Sequence, residues 1–191
     1  MNQLFQDAMA IARFYGGFDL FITLTTNPAW PEITNALFPG QTAADRPDLI
    51  ARVFNMYKSP LIHDVTKGKI FGNVLAYAYS IEFQKRGLPH VHLLLTLQPR
   101  FQPVSPDQVD TLICASWPNK QHHPLLFDIV KCCMVHGPCG SDNPTSPCMI
   151  DGKCSKHYPK TFQEETTMNA NGYPNYARPN NSCQVTVRNI P

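Results

Sequence analysis

The sequence predicts an α+β chain. The expected core is a split βαβ arrangement (ferredoxin- or RRM-like), an antiparallel sheet with helices on one face, and a Cys/His-rich loop appendage follows it. Three observations predict this. Stretches of alternating apolar residues are interleaved with stretches of helical period, in the order helix, strand, helix, strand, strand, helix. The two consecutive strands are joined by a connection short enough for a hairpin. Six of the seven cysteines lie between Cys114 and Cys154, in the later part of the chain.

Residues 2–15 set Leu4, Phe5, Ala8, Met9, Ile11, Ala12 and Phe14 on one helical stripe, which Gly16-Gly17 ends. Asp19 to Thr26 is rich in β-branched and aromatic residues and predicts a strand. It runs into a Pro-rich turn where Trp30 could stack a nucleic-acid base or anchor the core. Residues 33–46 read as a loop. Asp45-Arg46-Pro47-Asp48 opens a helix carrying Leu49, Ile50, Val53, Phe54, Tyr57 and Leu61, which Pro60 kinks or ends. Thr66-Lys67-Gly68-Lys69 is a basic turn into a long strand, 72–84. Its hairpin partner, 90–97, follows Lys85-Arg86-Gly87-Leu88-Pro89. Pro89 is tolerated there because Pro can begin a strand without breaking its ladder.

A Pro-rich loop, 98–106, precedes a helix opened by Ser105-Pro106 and ending near Trp117-Pro118. Residues 125–134 fit a strand or a short helix, and 124–131 are read as helix. Gln184 to Val187 reads as a last short strand. The expected division is a core over 1–130, with a Cys/His-rich zinc-binding segment and irregular tail over 131–191.

Composition bounds the function. With 191 residues, 43% of them hydrophobic and 16% charged, the chain can bury a core, which excludes a disordered class. A net charge of +2 does not mark a nucleic-acid binder, so such a role must rest on local patches. No apolar run approaches the ~20 residues that cross a bilayer. Cysteines crowded beside histidines suit metal binding in an intracellular chain better than a disulfide framework, and an intracellular setting is expected.

The central hairpin carries the first candidate site. His90 and His92 stand two apart on a strand, so they face the same way with Cα atoms ~6.6–7 Å apart. Glu82 and Gln84 share a parity on the partner strand, and either could supply an oxygen. Two imidazoles and one oxygen, with positions left open, suit a catalytic ion better than a closed structural one. Oxygen-preferring Mg²⁺ or Mn²⁺ is the expected occupant, bound with modest affinity. Such a pair also occurs on the polar face of an ordinary half-buried sheet. Lys85 and Arg86 lie in the hairpin turn beside it, and Lys67 and Lys69 at the opposite end of the same strand, where a DNA backbone could be gripped.

The second candidate site follows. His136 and Cys139 are separated by two residues, and Cys148 and Cys154 could complete a Zn²⁺ site across a Gly/Pro/Asn loop too short for its own core. His157 is a rival fourth ligand. Unconnected thiols in an irregular loop are the alternative. Cys132 and Cys133 are expected to pack as small hydrophobes.

The string Ser80-Ile81-Glu82-Phe83-Gln84-Lys85-Arg86-Gly87-Leu88-Pro89-His90-Val91-His92 resembles the Helitron replication-initiator domain, within the HUH endonucleases. The run from Phe21 to Glu32 is similar to the first motif of those initiators, and the segment from His136 to Lys160 resembles their pattern downstream of the His pair. The resemblance implies a metal-dependent domain that cuts and transfers single-stranded DNA through a tyrosine nucleophile, coupled to a C-terminal helicase. It implies two tyrosines on a helix well downstream of the Cys-rich region, and that pattern does not occur before Pro191. The nucleophile and helicase are therefore expected beyond the C-terminus, in a fragment or a decayed copy. Tyr77 and Tyr79 share a strand face with Ile81 and Phe83, expected as core, and Tyr173 and Tyr176 sit in a Gly/Pro/Asn loop. None of the four is assigned as nucleophile, so whether the chain is itself an enzyme stays open. The competing expectations are a DNA-binding module that does not cut and a zinc-stabilised interaction domain.

Overall fold

The computed structural model describes residues 2–84, 87–170, 172–181, 183, 185 and 186. Lys85 and Arg86 lie outside the described residues, as do Gln184 and Val187 of the expected last strand.

Helix α1, Asn2–Tyr15, stops where Gly16 and Gly17 take positive φ. Strand β1, Leu20–Thr25, follows, then a one-turn helix α2, Pro31–Thr34, at the edge of the expected 33–46 loop. That loop also holds a 3₁₀ turn, Ala43–Asp45, closed by Thr42 and Asp45 bonding each other's ends. Helix α3, Pro47–Thr66, starts with Pro in its first turn and continues through Pro60 to Thr66. Strands β2, Val74–Phe83, and β3, Pro89–Leu97, form the hairpin.

These strands make one antiparallel sheet in the order β1-β3-β2, so the His-bearing strand is central. Val91, Leu93, Leu95 and Leu97 on its inner face are fully buried. Helix α3 packs on β3 and β2, and buries Ile50, Val53, Phe54 and Val65. Ile33, Ile50 and Val53 form a core cluster with Trp30, Leu37, Leu49 and Leu88 against it. Buried Thr26 donates its hydroxyl to Pro89 O (2.8 Å), and Asp19 Oδ2 accepts the Leu97 N–H (2.7 Å), so β1 and its approach are fastened to both ends of β3. Gly72 (φ 94) has no substitute, because a Cβ there would stand 2.4 Å from the Phe101 ring.

One expectation needs correction. Ile81 and Phe83 are 41% and 68% exposed, and Tyr77 and Tyr79 of the same row are exposed too. The row does lie on the apolar side, since Tyr79 pairs with Leu93 and Ile81 with Val91. However, β2 is an edge strand, and the tight core lies beneath β3. Alternation predicts the side of a sheet and leaves open how far its cover extends.

By internal contacts the chain divides into Met1–Pro103 and Val104–Pro191, with the break in the Pro-rich loop. The second unit opens with α4, Pro106–Leu112, where Ser105 and Gln108 form a reciprocal cap. This helix ends before Trp117-Pro118 because Ile113 is already extended. Helix α5, Pro124–Ile129, continues into a π-helical turn, Val130–Met134. Cys132 and Cys133 are exposed on that turn, contrary to the expected packing, because one loose turn buries little. Two minimal hairpins follow: β4, Met149–Ile150, with β5, Lys153–Cys154, and β6, Thr167–Met168, with β7, Pro174–Asn175. Buried Thr166 ties the second hairpin down, donating to Asp110 Oδ1 and accepting the Ala177 N–H at 2.8 Å. The architecture is thus a mixed α+β chain with small antiparallel sheets. Among the described residues no helix is long and apolar enough to cross a membrane.

Candidate metal centres

The register sets the sheet site. Glu82 stands opposite His90, Ser80 opposite His92, and Thr25 and Thr23 opposite the same histidines on β1. Directly opposed residues share a sheet face, so all six lie on the side away from Val91, Leu93 and Leu95. His90 and His92 meet edge to face with ring centroids 4.3 Å apart, and His92 Nε2 lies 3.5 Å from Glu82 Oε2. Phe21 stacks on His92 from β1 (5.2 Å, 10°), and Thr25 Oγ1 hydrogen-bonds His90 Nδ1. The Thr25 bond occupies one nitrogen of His90 and so orients the ring to offer Nε2. The structure therefore brings His90, His92 and Glu82 together. Gln84 lies past the end of β2, where its backbone N–H bonds Leu88 O (3.0 Å).

Burial first, and then the neighbouring His92, hold His90 below the ordinary imidazole value against the pull of Glu82. A neutral ring at ordinary pH keeps a lone pair free for an ion. His92 Nδ1 is buried with no hydrogen-bond partner among the described residues, and its Nε2 stands beside the carboxylate. His90, His92 and Glu82 thus present two imidazoles and a carboxylate on one sheet face.

The second unit holds a tighter group. His136, Cys139, Cys148 and Cys154 each place a ligand atom within 4.8 Å of the other three, and all four are half-buried. Cys154 Sγ stands 3.5 Å from His136 Nε2. A tetrahedral zinc with bonds of ~2.3 Å to sulfur and ~2.0–2.1 Å to nitrogen would separate such atoms by about 3.6 Å. This group could hold a metal ion, and its donors are those of zinc. His157 is not in it; its backbone N–H bonds Cys154 O (2.9 Å), and its φ of 57° helps the chain turn around the cysteine.

Local turns assemble this group. Asp151 (φ 48) and Gly152 (φ 74) occupy the two-residue turn between β4 and β5, the conformation that suits a tight hairpin. The turn returns Cys154 beside Met149, next to Cys148. Burial opposes ionisation of Cys154, yet the backbone N–H groups of Tyr158 and Lys156, with the Cys148 and Cys139 thiols, hold it below the ordinary thiol value. Burial, then Cys154 and Cys148, push Cys139 up to about 11. An ion bound here would require deprotonated thiols and would release their protons. The Tyr158 ring stacks on His136 at 4.1 Å and 6° and fixes the imidazole plane.

Other expected residues fall apart from these groups. Trp30 packs against the core cluster and stacks on the exposed Tyr57 (4.1 Å). Lys67 and Lys69 are exposed before β2, at the end opposite Glu82. Tyr77 and Tyr79 occupy the sheet face opposite His90 and His92. Sequence reasoning missed Phe21, Thr25 and Tyr158. The first two depend on the β1–β3 register, which no local pattern encodes, and Tyr158 was visible only as part of a string.

The chain has an α+β unit with an imidazole pair on its sheet and a Cys/His group that could hold a metal ion. Residues 1–95 match the family model of the Helitron helicase-like domain at the N-terminus, and this supports the Helitron helicase-like N-terminal domain for that stretch. The matched stretch contains His90, His92 and Glu82, and the Cys/His group lies outside it. Comparison with curated proteins returns no match.

Proposed function

We propose that this chain supplies the ion-binding part of an HUH-type endonuclease and strand-transfer domain, acting on single-stranded DNA in Helitron rolling-circle transposition. The observation that carries this reading is the meeting of His90, His92 and Glu82 on one sheet face, inside the stretch matched to the Helitron domain. The β1–α3–β2 crossover, with β3 inserted between the two strands, supports the split βαβ reading.

His90, His92 and Glu82 would hold a Mg²⁺ or Mn²⁺ ion, which would supply Lewis-acid polarisation of the scissile phosphate. Thr25 fixes the His90 ring, Glu82 adds negative charge to the donor set, and Phe21 holds His92 flat. The nucleophile is a tyrosine hydroxyl, which displaces the 3′ oxygen and leaves the tyrosine on the 5′ phosphate. Tyr77 and Tyr79 are on the wrong face to reach that phosphate, and no other described tyrosine is assigned. Lys67 and Lys69, with Lys85 and Arg86, serve as backbone grips. The nucleus and a partner helicase domain complete the proposal.

Mn²⁺ titration followed by electron paramagnetic resonance tests it. One ion should bind, and His90→Ala or His92→Ala should abolish the signal of the bound ion. With single-stranded DNA, Mn²⁺ should strengthen binding, and a denaturing gel should show no covalent adduct. Unaltered Mn²⁺ binding in both alanine variants would overturn the assignment. The Cys/His group favours a second reading, a zinc-held module that grips DNA without cutting, and DNA binding unaffected by Mn²⁺ or by these variants would select it.

A further inference from the structure

We propose that the Cys/His turn is itself a binding site for single-stranded DNA, formed by Lys153, Lys156, Tyr158 and Lys160 and set in place by the metal beneath it. All four side chains are exposed, and no ion pair among the described residues engages any of the lysines. Between Lys153 and Lys160 the chain carries three positive charges and no acid, in a protein whose net charge is only +2. An unpaired basic cluster of this kind attracts a polyanion.

The aromatic component distinguishes this patch from ordinary solvated charge. Tyr158 rests one ring face on His136, yet 42% of the residue stays exposed, and Lys160 Nζ lies 5.4 Å from the ring centroid. Phe162, two residues further on, is 69% exposed. Aromatic rings set among cations fit a flexible single strand, whose bases can stack while its phosphates meet lysines. A duplex keeps its bases covered and offers the rings nothing.

The same residues are wired to the metal group. The Tyr158 ring lies on the His136 imidazole, and the intervening His157 backbone N–H bonds Cys154 O (2.9 Å). Losing the ion would release the turn that presents the patch, so DNA binding here should depend on zinc. This site shares no residue with the His90–His92 face and requires no Mg²⁺ or Mn²⁺.

The test uses the full zinc-loaded chain carrying His90→Ala and His92→Ala, without Mg²⁺ or Mn²⁺, so that the sheet site contributes no ion-dependent binding. Anisotropy of a fluorescein-labelled oligothymidine is followed across a salt series. Changing Lys153, Lys156 and Lys160 together to Gln should flatten the log K against log salt slope by about 2, at about 0.7 per phosphate contact. Tyr158→Leu, which keeps the backbone N–H, should weaken binding several-fold at unchanged slope. Absorption of the Co²⁺-substituted variants should show intact thiolate coordination, which separates a lost contact from a lost fold. An unchanged slope in the lysine variant with intact Co²⁺ absorption would overturn the proposal. So would duplex DNA binding as tightly as the single strand with Tyr158→Leu silent.

Discussion

In the sheet, His90 and His92 reach one side because strand residues alternate, and buried Val91, Leu93 and Leu95 would hold them there with or without an ion. In the Cys/His segment the donors come from four points of a chain whose strands are two residues long, held by turns at Asp151, Gly152 and His157. The proposed sheet site mixes nitrogen with oxygen, the donor set proposed above for a hard ion. The Cys/His site is closed and sulfur-rich, as suits an ion that organises its surroundings. The core therefore positions the first site, whereas the second site replaces a core that its segment lacks.

The sharpest break of that contrast is metal removal. Cys154→Ser, or a strong chelator, should cost the Cys/His segment most of its folding free energy, on the order of 10 kcal/mol. Hydrogen exchange should then show residues 136–160 unprotected while the β3 amides stay protected. If the segment stays protected without metal, the contrast fails, because its turns would suffice.

The converse experiment strikes the sheet. Leu93 is completely buried on the central strand, so Leu93→Ala should cost about 2–5 kcal/mol and lower the melting temperature of the first unit. Co²⁺ absorption at the Cys/His group should remain normal. A loss of that absorption in step with the sheet would mean the two regions do not fold independently.

The three strands and the long helices α1 and α3 of the first unit were legible because each carries a clear period, and the His pair was legible because alternation alone fixes its face. Both were readable from residues a few positions apart. Phe21 and Thr25 were not, since their place beside the histidines depends on a pairing across more than sixty residues. The four Cys/His donors were legible from residue type and spacing, and His157 could be set aside only once the turn around Cys154 was seen. The short helix α2 and the early end of α4 escaped because one or two turns carry too little period to read.

Smaller changes sharpen the comparison within the sheet site. His92→Ala removes a proposed donor whose side chain is 28% exposed, so its main effect should be on ion binding, a loss of at least tenfold in Mn²⁺ affinity. Thr25→Val keeps the donors and removes only the bond to His90 Nδ1. A loss of about tenfold is expected, with Thr25→Ser restoring most of it. Nitrogen-15 shifts of the His90 ring should report a changed tautomer in the Val variant. If Thr25→Val and Thr25→Ser weaken the ion equally, the hydroxyl does not orient the ring.

The smallest effect concerns the outer row of β2. Phe83 has the sequence character of a core residue, and burying such a ring would contribute roughly 1.5–3 kcal/mol. It is 68% exposed on the edge strand, next to the hairpin turn, so most of that contribution is not realised. Phe83→Ser should therefore shift the stability of the first unit by no more than about 0.5 kcal/mol, the usual range for a surface change. It should leave Mn²⁺ binding unaltered, because Phe83 pairs with Pro89 on the face opposite His90. Chemical denaturation distinguishes the two cases, since a cost above about 1.5 kcal/mol would mean that the row is covered in solution. The apolar side of the sheet would then extend to its edge, as alternation alone predicts, and the exposed face of β2 would have to be packed against another part of the protein.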